Sequence, residues 1–295
     1  MTLTGVLVPL VTPFDRGGAV ALGALESLAH QVLDDGAAGL VALGTTAEPS
    51  SLSAVERQAV LDVVGRVATE RRTTLLVGAS TAEDLAALRG RTGVTAALTL
   101  VPPFVRPGED GAVAHLATLA RLSPVPLVVY HVPHRTSQDL GSAALHRLAR
   151  VDGIVGTKLS IPADGSAVAL LGDLPDDFDV LAGDDTVLAP MLALGASGGV
   201  LASAHLATAA YARLVDAWAA PRVDTADARA LGARLAGLSA ACFAEPNPVV
   251  VKGVLHAQGR IPTAAVRLPL LPASTASVDA ALASLDAVER AVAQA

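Results

Sequence analysis

The stretch IVGTKLS, residues 154–160, is apolar and β-branched apart from Lys158. Of the 21 Lys and Arg residues only Lys158 and Lys252 are lysines, so arginine carries nearly every positive charge in this chain. An amine differs from a guanidinium in that it can lose its proton and act as a nucleophile. Among apolar strand residues the charged form is disfavoured, which makes the free base available near neutral pH. Such an amine can attack a ketone or aldehyde and form a Schiff base, provided protons are moved as the carbinolamine loses water. Tyr130, in PLVVYHVP, and Thr45, in GTTAE, are hydroxyls placed to move them. The same residues admit a second reading, in which Lys158 is a buried ion-pair partner of Asp184 or Asp185. For Lys252, in NPVVVKG, a structural or surface role is expected.

Other chemistries have weaker support. His131 and His134 lie three apart, with no carboxylate or Cys at zinc spacing, so no metal site is expected. GASGGVLAS is glycine-rich but lacks the Lys-Ser/Thr pair of a phosphate loop.

These side chains need strands to carry them. Short apolar runs recur at 5–14, 39–44, 73–79, 96–102, 126–133, 153–160, 178–185 and 197–203. Between them lie segments of helical spacing, and Ser53-x-x-Glu56 and Ser80-x-x-Glu83 read as capping boxes. Near-continuous apolar strands are those covered on both faces, so the repeat predicts an α/β fold, a (β/α)8 TIM barrel over residues 1–205. A doubly wound open sheet is the alternative, but no Gly-rich turn follows the first run. After Ser203 the pattern turns helical through 210–218, 224–238 and 273–294, predicting a C-terminal helical extension over 206–295 packed on the barrel. The barrel's active mouth lies at the strand C-termini. Thr45 and Thr46, Phe104, Tyr130 with His131 and Arg135, Lys158, Asp184 and Asp185, and Ser203 all fall there.

The bulk composition excludes several partners. Hydrophobic residues make up 52% and charged residues 17%, enough for a large core. A net charge of −7 without a basic run argues against nucleic acid and anionic membranes. The single Cys242 cannot form an internal disulfide and reads as a packed thiol, which fits a cytoplasmic location. The first residues have no basic region and contain Pro9 and Pro13, unlike a signal peptide, and no apolar run is long enough to span a membrane.

Taken in order, VTPF (11–14), GTTAE (44–48), YHVPHRT (130–136), GTKLS (156–160), AGDD (182–185), GGVL (198–201) and NPVVVKG (247–253) cover essentially the whole chain. With these segments the sequence resembles the dihydrodipicolinate synthase/N-acetylneuraminate lyase family of pyruvate-dependent class I aldolases. The resemblance implies a homotetramer, a dimer of dimers, and no cofactor beyond a covalent imine with substrate pyruvate. It also implies that Lys158 forms the Schiff base, Tyr130 shuttles protons and Thr45 joins the relay. Thr46 would bind the pyruvate carboxylate, and Leu201 would offer its main-chain carbonyl at the pocket wall. Arg135 would hold the carboxylate of aspartate semialdehyde, a role suited to a guanidinium fork; the alternative is an arginine paired with a neighbouring acid.

Several departures qualify this. Phe104 stands where synthases have a second relay tyrosine, contributed to a neighbouring subunit, and a phenyl ring cannot pass a proton. Water or His131, which replaces the usual Asn, would have to substitute. Ala47 replaces a usual Gly, and Leu159 follows the lysine where Glu is common. Ala54 and Arg57 occupy positions where lysine-inhibited members carry histidines, so no feedback by lysine is expected. The expected function is therefore a Schiff-base lyase or synthase joining a 2-oxo acid, pyruvate, to an aldehyde, dihydrodipicolinate synthase-like. The alternatives are a 2-oxo acid or sugar-acid aldolase and, in another class, a catalytically weak pyruvate-binding or regulatory protein.

Overall fold

Each apolar run becomes a parallel strand in the computed structural model of the protein, which describes residues 2–172, 174–175 and 177–293. The strands are β1 (Gly5–Pro9), β2 (Gly39–Ala42), β3 (Thr74–Gly78), β4 (Ala96–Leu100), β5 (Leu127–His131), β6 (Ile154–Leu159), β7 (Asp179–Ala182) and β8 (Gly198–Val200). Each pairs with the next, and β8 returns to β1 to close a barrel. Leu7, Val41, Leu76, Leu98, Val128 and Leu181 fill the interior. Val6, Val8, Leu40, Leu75, Val77 and Val129 face outward beneath the helices. Burial of both faces is why the runs lack polar alternation. Closure removes the open-sheet alternative, and it needs glycine at the seam. Gly5 pairs with Gly198, where a Cβ on Gly198 would lie 2.0 Å from the Gly5 carbonyl oxygen.

The connecting helices are α1 (Leu22–Asp34), α2 (Ala54–Arg71), α3 (Ala82–Ala86), α4 (Gly108–Leu122), α5 (Pro133–Thr136), α6 (Ser142–Leu148), α7 (Gly165–Leu171), α8 (Leu188–Ala193) and α9 (Ala204–Ala219). The expected capping box at Ser53 and Glu56 opens α2, each side chain accepting the other's backbone N–H. The second box lies one residue later than expected. Thr81 and Asp84 cap α3, because the Ser80 hydroxyl is taken by the Leu100 N–H of β4 at 3.0 Å.

The expected division of the chain at 205/206 falls within α9, which follows β8 directly. Beyond it lie α10 (Thr225–Cys242), α11 (Val249–Ala257) and α12 (Thr275–Ala293). Residue 294 of the expected tail helix lies outside the described residues. The α11 helix has no counterpart among the expected helices: Val249–Val251 reads locally as strand, but full burial of these residues overrides that preference. Among the described residues no helix is long and apolar enough to cross a membrane.

Candidate active site

Side chains alternate across a strand, so the register decides what faces the barrel axis. Tyr130 on β5 pairs directly with Lys158 on β6, and the Lys158 Nζ stands 4.2 Å from the centre of the Tyr130 ring. Burial works to raise the Tyr130 phenol, but the Lys158 ammonium, the Ser160 hydroxyl and the Arg135 guanidinium outweigh it and hold it below its ordinary value.

The two acids read from the sequence as ion-pair partners for Lys158 are engaged elsewhere. Asp184 accepts the N–H and hydroxyl of Thr186 at 3.0 and 2.7 Å. Asp185 accepts the N–H and hydroxyl of Ser203 at 2.7 and 2.6 Å. Lys158, only 8% exposed, is left facing a cavity of about 220 Å³ with Tyr130, Thr45, Thr46, Arg135 and Ser160 on its walls. This cavity opens into a groove of about 760 Å³ that shares Thr45, Tyr130 and Arg135. Among the described residues Arg135 makes no ion pair, so its guanidinium is free to meet a ligand.

Thr45 and Thr46 sit on a 3-10 turn, Thr45–Ala47, immediately after β2. Thr46 is buried and accepts a hydrogen bond from Asn247 Nδ2 at 3.0 Å. The Thr12 hydroxyl donates to the Ala47 carbonyl at 2.8 Å. Ala47 fits this right-handed turn, and the left-handed conformation falls on Glu48, φ 54°. Lys252 is fully buried, donating to the Thr12 carbonyl at 2.9 Å and to Glu48 Oε1 at 2.8 Å. It is structural and not a surface residue.

Four residues singled out from the sequence lie off the cavity. His131, next to Tyr130, points to the opposite face of β5, buried, with Nε2 on Asp139 at 3.1 Å. Burial lowers its pKa against the pull of Asp139, and it has no path to the Lys158 amine. Leu201 packs in the outer core, while its neighbours Val200 and Ala202 line the cavity. Phe104 is 86% exposed, at φ 66°, and lines neither space. Leu159 likewise faces the outer core.

Sequence reading missed several partners. Ser160 shares the inward face with Lys158, a signal carried by the two-residue spacing. Phe243 and Asn247 also line the cavity, as does His134, which the sequence places at the strand ends. Beneath it Asp185 joins a buried network: the Tyr211 hydroxyl lies 2.6 Å from Ser203 Oγ and 2.7 Å from Ser239 Oγ. Ser203 and Ser239 are 36 residues apart, and no local pattern links them. Burial pushes the Asp185 carboxyl up to about 6, against the Ser203 hydrogen bonds and the Lys158 charge. Among the described residues no group of three or more His, Cys, Asp or Glu side chains is gathered to hold a metal.

The sequence profile of the dihydrodipicolinate synthetase family matches residues 2–288. The chain belongs to this family. A 4-hydroxy-tetrahydrodipicolinate synthase of Neisseria meningitidis serogroup B is 34% identical over 276 residues, covering 92% of this chain and 93% of its own. A second, from Clostridium acetobutylicum, is 31% identical over 280 residues, covering 93% and 96%. The structure of a dihydrodipicolinate synthase from Acinetobacter baumannii, described as chloride-inhibited and complexed with pyruvate, superposes with a TM-score of 0.90 at 32% identity, covering 98% and 99% of the two chains. In this member of the dihydrodipicolinate synthetase family the amine, the phenol and the threonine turn line one cavity.

Proposed function

We propose that this protein is a 4-hydroxy-tetrahydrodipicolinate synthase that condenses pyruvate with aspartate semialdehyde through an imine on Lys158. The observation that carries the reading is an amine without an acid partner, set against a phenol in a cavity at the barrel mouth. Lys158 Nζ adds to the pyruvate ketone, and the carbinolamine expels water as Tyr130 supplies and recovers the proton. Loss of a C3 proton gives an enamine that attacks the aldehyde carbon. The semialdehyde's own amine then displaces Lys158 from C2, closing the ring and freeing the enzyme. Thr46 receives the pyruvate carboxylate, Thr45 joins Tyr130 in the proton relay, and Arg135 receives the second carboxylate. The pyruvate carbonyl is itself the electrophile, so the steps call for no separate cofactor. A cytoplasmic location is supported by the buried, unpaired Cys242. The solvent-facing Phe104 and Val105 support self-association, and the homotetramer proposed for this protein is tested by sedimentation.

The test is chemical. Incubation with pyruvate and borohydride, followed by peptide mapping, is expected to place a reduced pyruvyl group on Lys158, and Lys158→Ala to abolish turnover in a folded protein. Absence of any adduct overturns the reading. A second reading, an aldolase for another 2-oxo acid, is favoured by the missing hydroxyl at Phe104; turnover of a sugar-acid aldehyde in preference to aspartate semialdehyde would decide for it.

A further inference from the structure

We infer that the buried Lys252–Glu48 pair is the support that holds the Thr45–Thr46 turn in register for the pyruvate carboxylate, so that α11 takes part in substrate binding. The inference rests on the reading that this turn receives pyruvate. Lys252 lines neither the cavity nor the groove and is a positioning residue.

The geometry is a double grip. One ammonium hydrogen goes to Glu48 Oε1 at 2.8 Å, directly after the turn. Another goes to the Thr12 carbonyl at 2.9 Å, and the hydroxyl of the same Thr12 donates to Ala47 within the turn. The third faces the Phe14 ring, whose centre is 4.2 Å from Nζ. Glu48 is held at its other oxygen by the Arg267 N–H at 2.8 Å. Five residues before Lys252, Asn247 donates to the Thr46 hydroxyl. The side-chain anchors of Thr46 and Ala47 thus run to Thr12, in the loop after β1, and to Asn247, just before α11.

Stability alone does not account for such a pair. Two buried charges lose about as much in desolvation as they gain from each other, and apolar side chains of equal volume do as well. What the pair supplies is a fixed position, since a compact ammonium with three separate donors meets acceptors from two elements at once. A planar guanidinium does not fit those three directions, which explains why a chain so rich in arginine keeps lysine here.

The test compares wild type, Lys252→Met and the double variant Glu48→Gln/Lys252→Met, which leaves no buried unpaired charge. Each is assayed for melting temperature, for both substrate KM values, and for borohydride trapping on Lys158 as a function of pyruvate. In the double variant the melting temperature is expected to return toward wild type, while half-saturation by pyruvate stays raised on the order of tenfold or more. Its KM for aspartate semialdehyde is expected to change by less than about twofold. A folded double variant with wild-type pyruvate saturation overturns the inference, as does an equal loss for both substrates. Should the double variant not fold, Glu48→Gln alone is held to the same criteria. Wild-type protein that traps no pyruvate overturns the functional reading itself, which separates the two failures.

Discussion

Tyr130 and Lys158 are register partners on β5 and β6, with the ammonium over the phenol ring. The chain has only two tyrosines, and burial, with Asp185 near by, pushes the other, Tyr211, far above the ordinary range. The first tyrosinate absorbance to appear on raising the pH is therefore expected from Tyr130, below the ordinary phenol value. Lys158→Met removes the nearest charge holding it down, so the same titration should move to higher pH. A titration unmoved by the substitution would contradict the pairing.

Gly183 lies under the reacting amine. A Cβ there would meet Ser160 Oγ at 2.6 Å and Lys158 Cε at 2.8 Å. Gly183→Ala is expected to destabilise the fold by about 1–3 kcal/mol through overpacking. By displacing the amine it should also lower kcat on the order of a hundredfold. Thermal melting and steady-state assay check both; a fully active Ala variant would show that the amine tolerates the shift.

Asp185 gives a pH dependence with a definite sign. Its carboxyl is raised from 3.8 to about 6 in the folded protein. The fold therefore favours the protonated form, and stability is greatest below the unfolded value and falls as pH rises through the window from about 4 to about 6. The loss amounts to roughly 3 kcal/mol at 1.36 kcal/mol per unit. Asp185→Asn keeps an oxygen for the two Ser203 donors and cannot ionise. Denaturation midpoints measured across this window should diverge in the variant's favour as pH rises; parallel curves would refute the assignment.

Arg135 is expected to act on the second substrate alone. Arg135→Ala should raise the KM for aspartate semialdehyde by about tenfold to a hundredfold, the worth of a charge-assisted hydrogen bond. The concentration dependence of pyruvate trapping on Lys158 should hold. A loss confined to pyruvate would reassign the guanidinium.

The barrel was readable from the sequence because strands buried on both faces leave continuous apolar runs, and the observed strands lie within the eight runs. Lys158, Tyr130 and the threonine turn were readable because their chemistry clashes with, or terminates, such runs. What escaped depended on direction and distance. His131 is adjacent to Tyr130 in sequence, yet the two-residue period turns it to the other face. The α11 helix is written in valines and forms only because its surroundings bury it completely. The contacts of Lys252 with Glu48 span 204 residues, and those of Asp185 reach Tyr211 and Ser239 through Ser203. None of these has a local signature.

Both lysines of this chain are interior: Lys158 is 8% exposed and Lys252 not at all. Apart from its α-amino group, the molecule thus offers an acylating reagent no surface amine. An activated ester that enters the cavity should modify Lys158 alone of the two lysines, and bound pyruvate should shield it. One site, titrated by mass, would then count functional active centres directly, a measurement that a lysine-rich surface would drown in background.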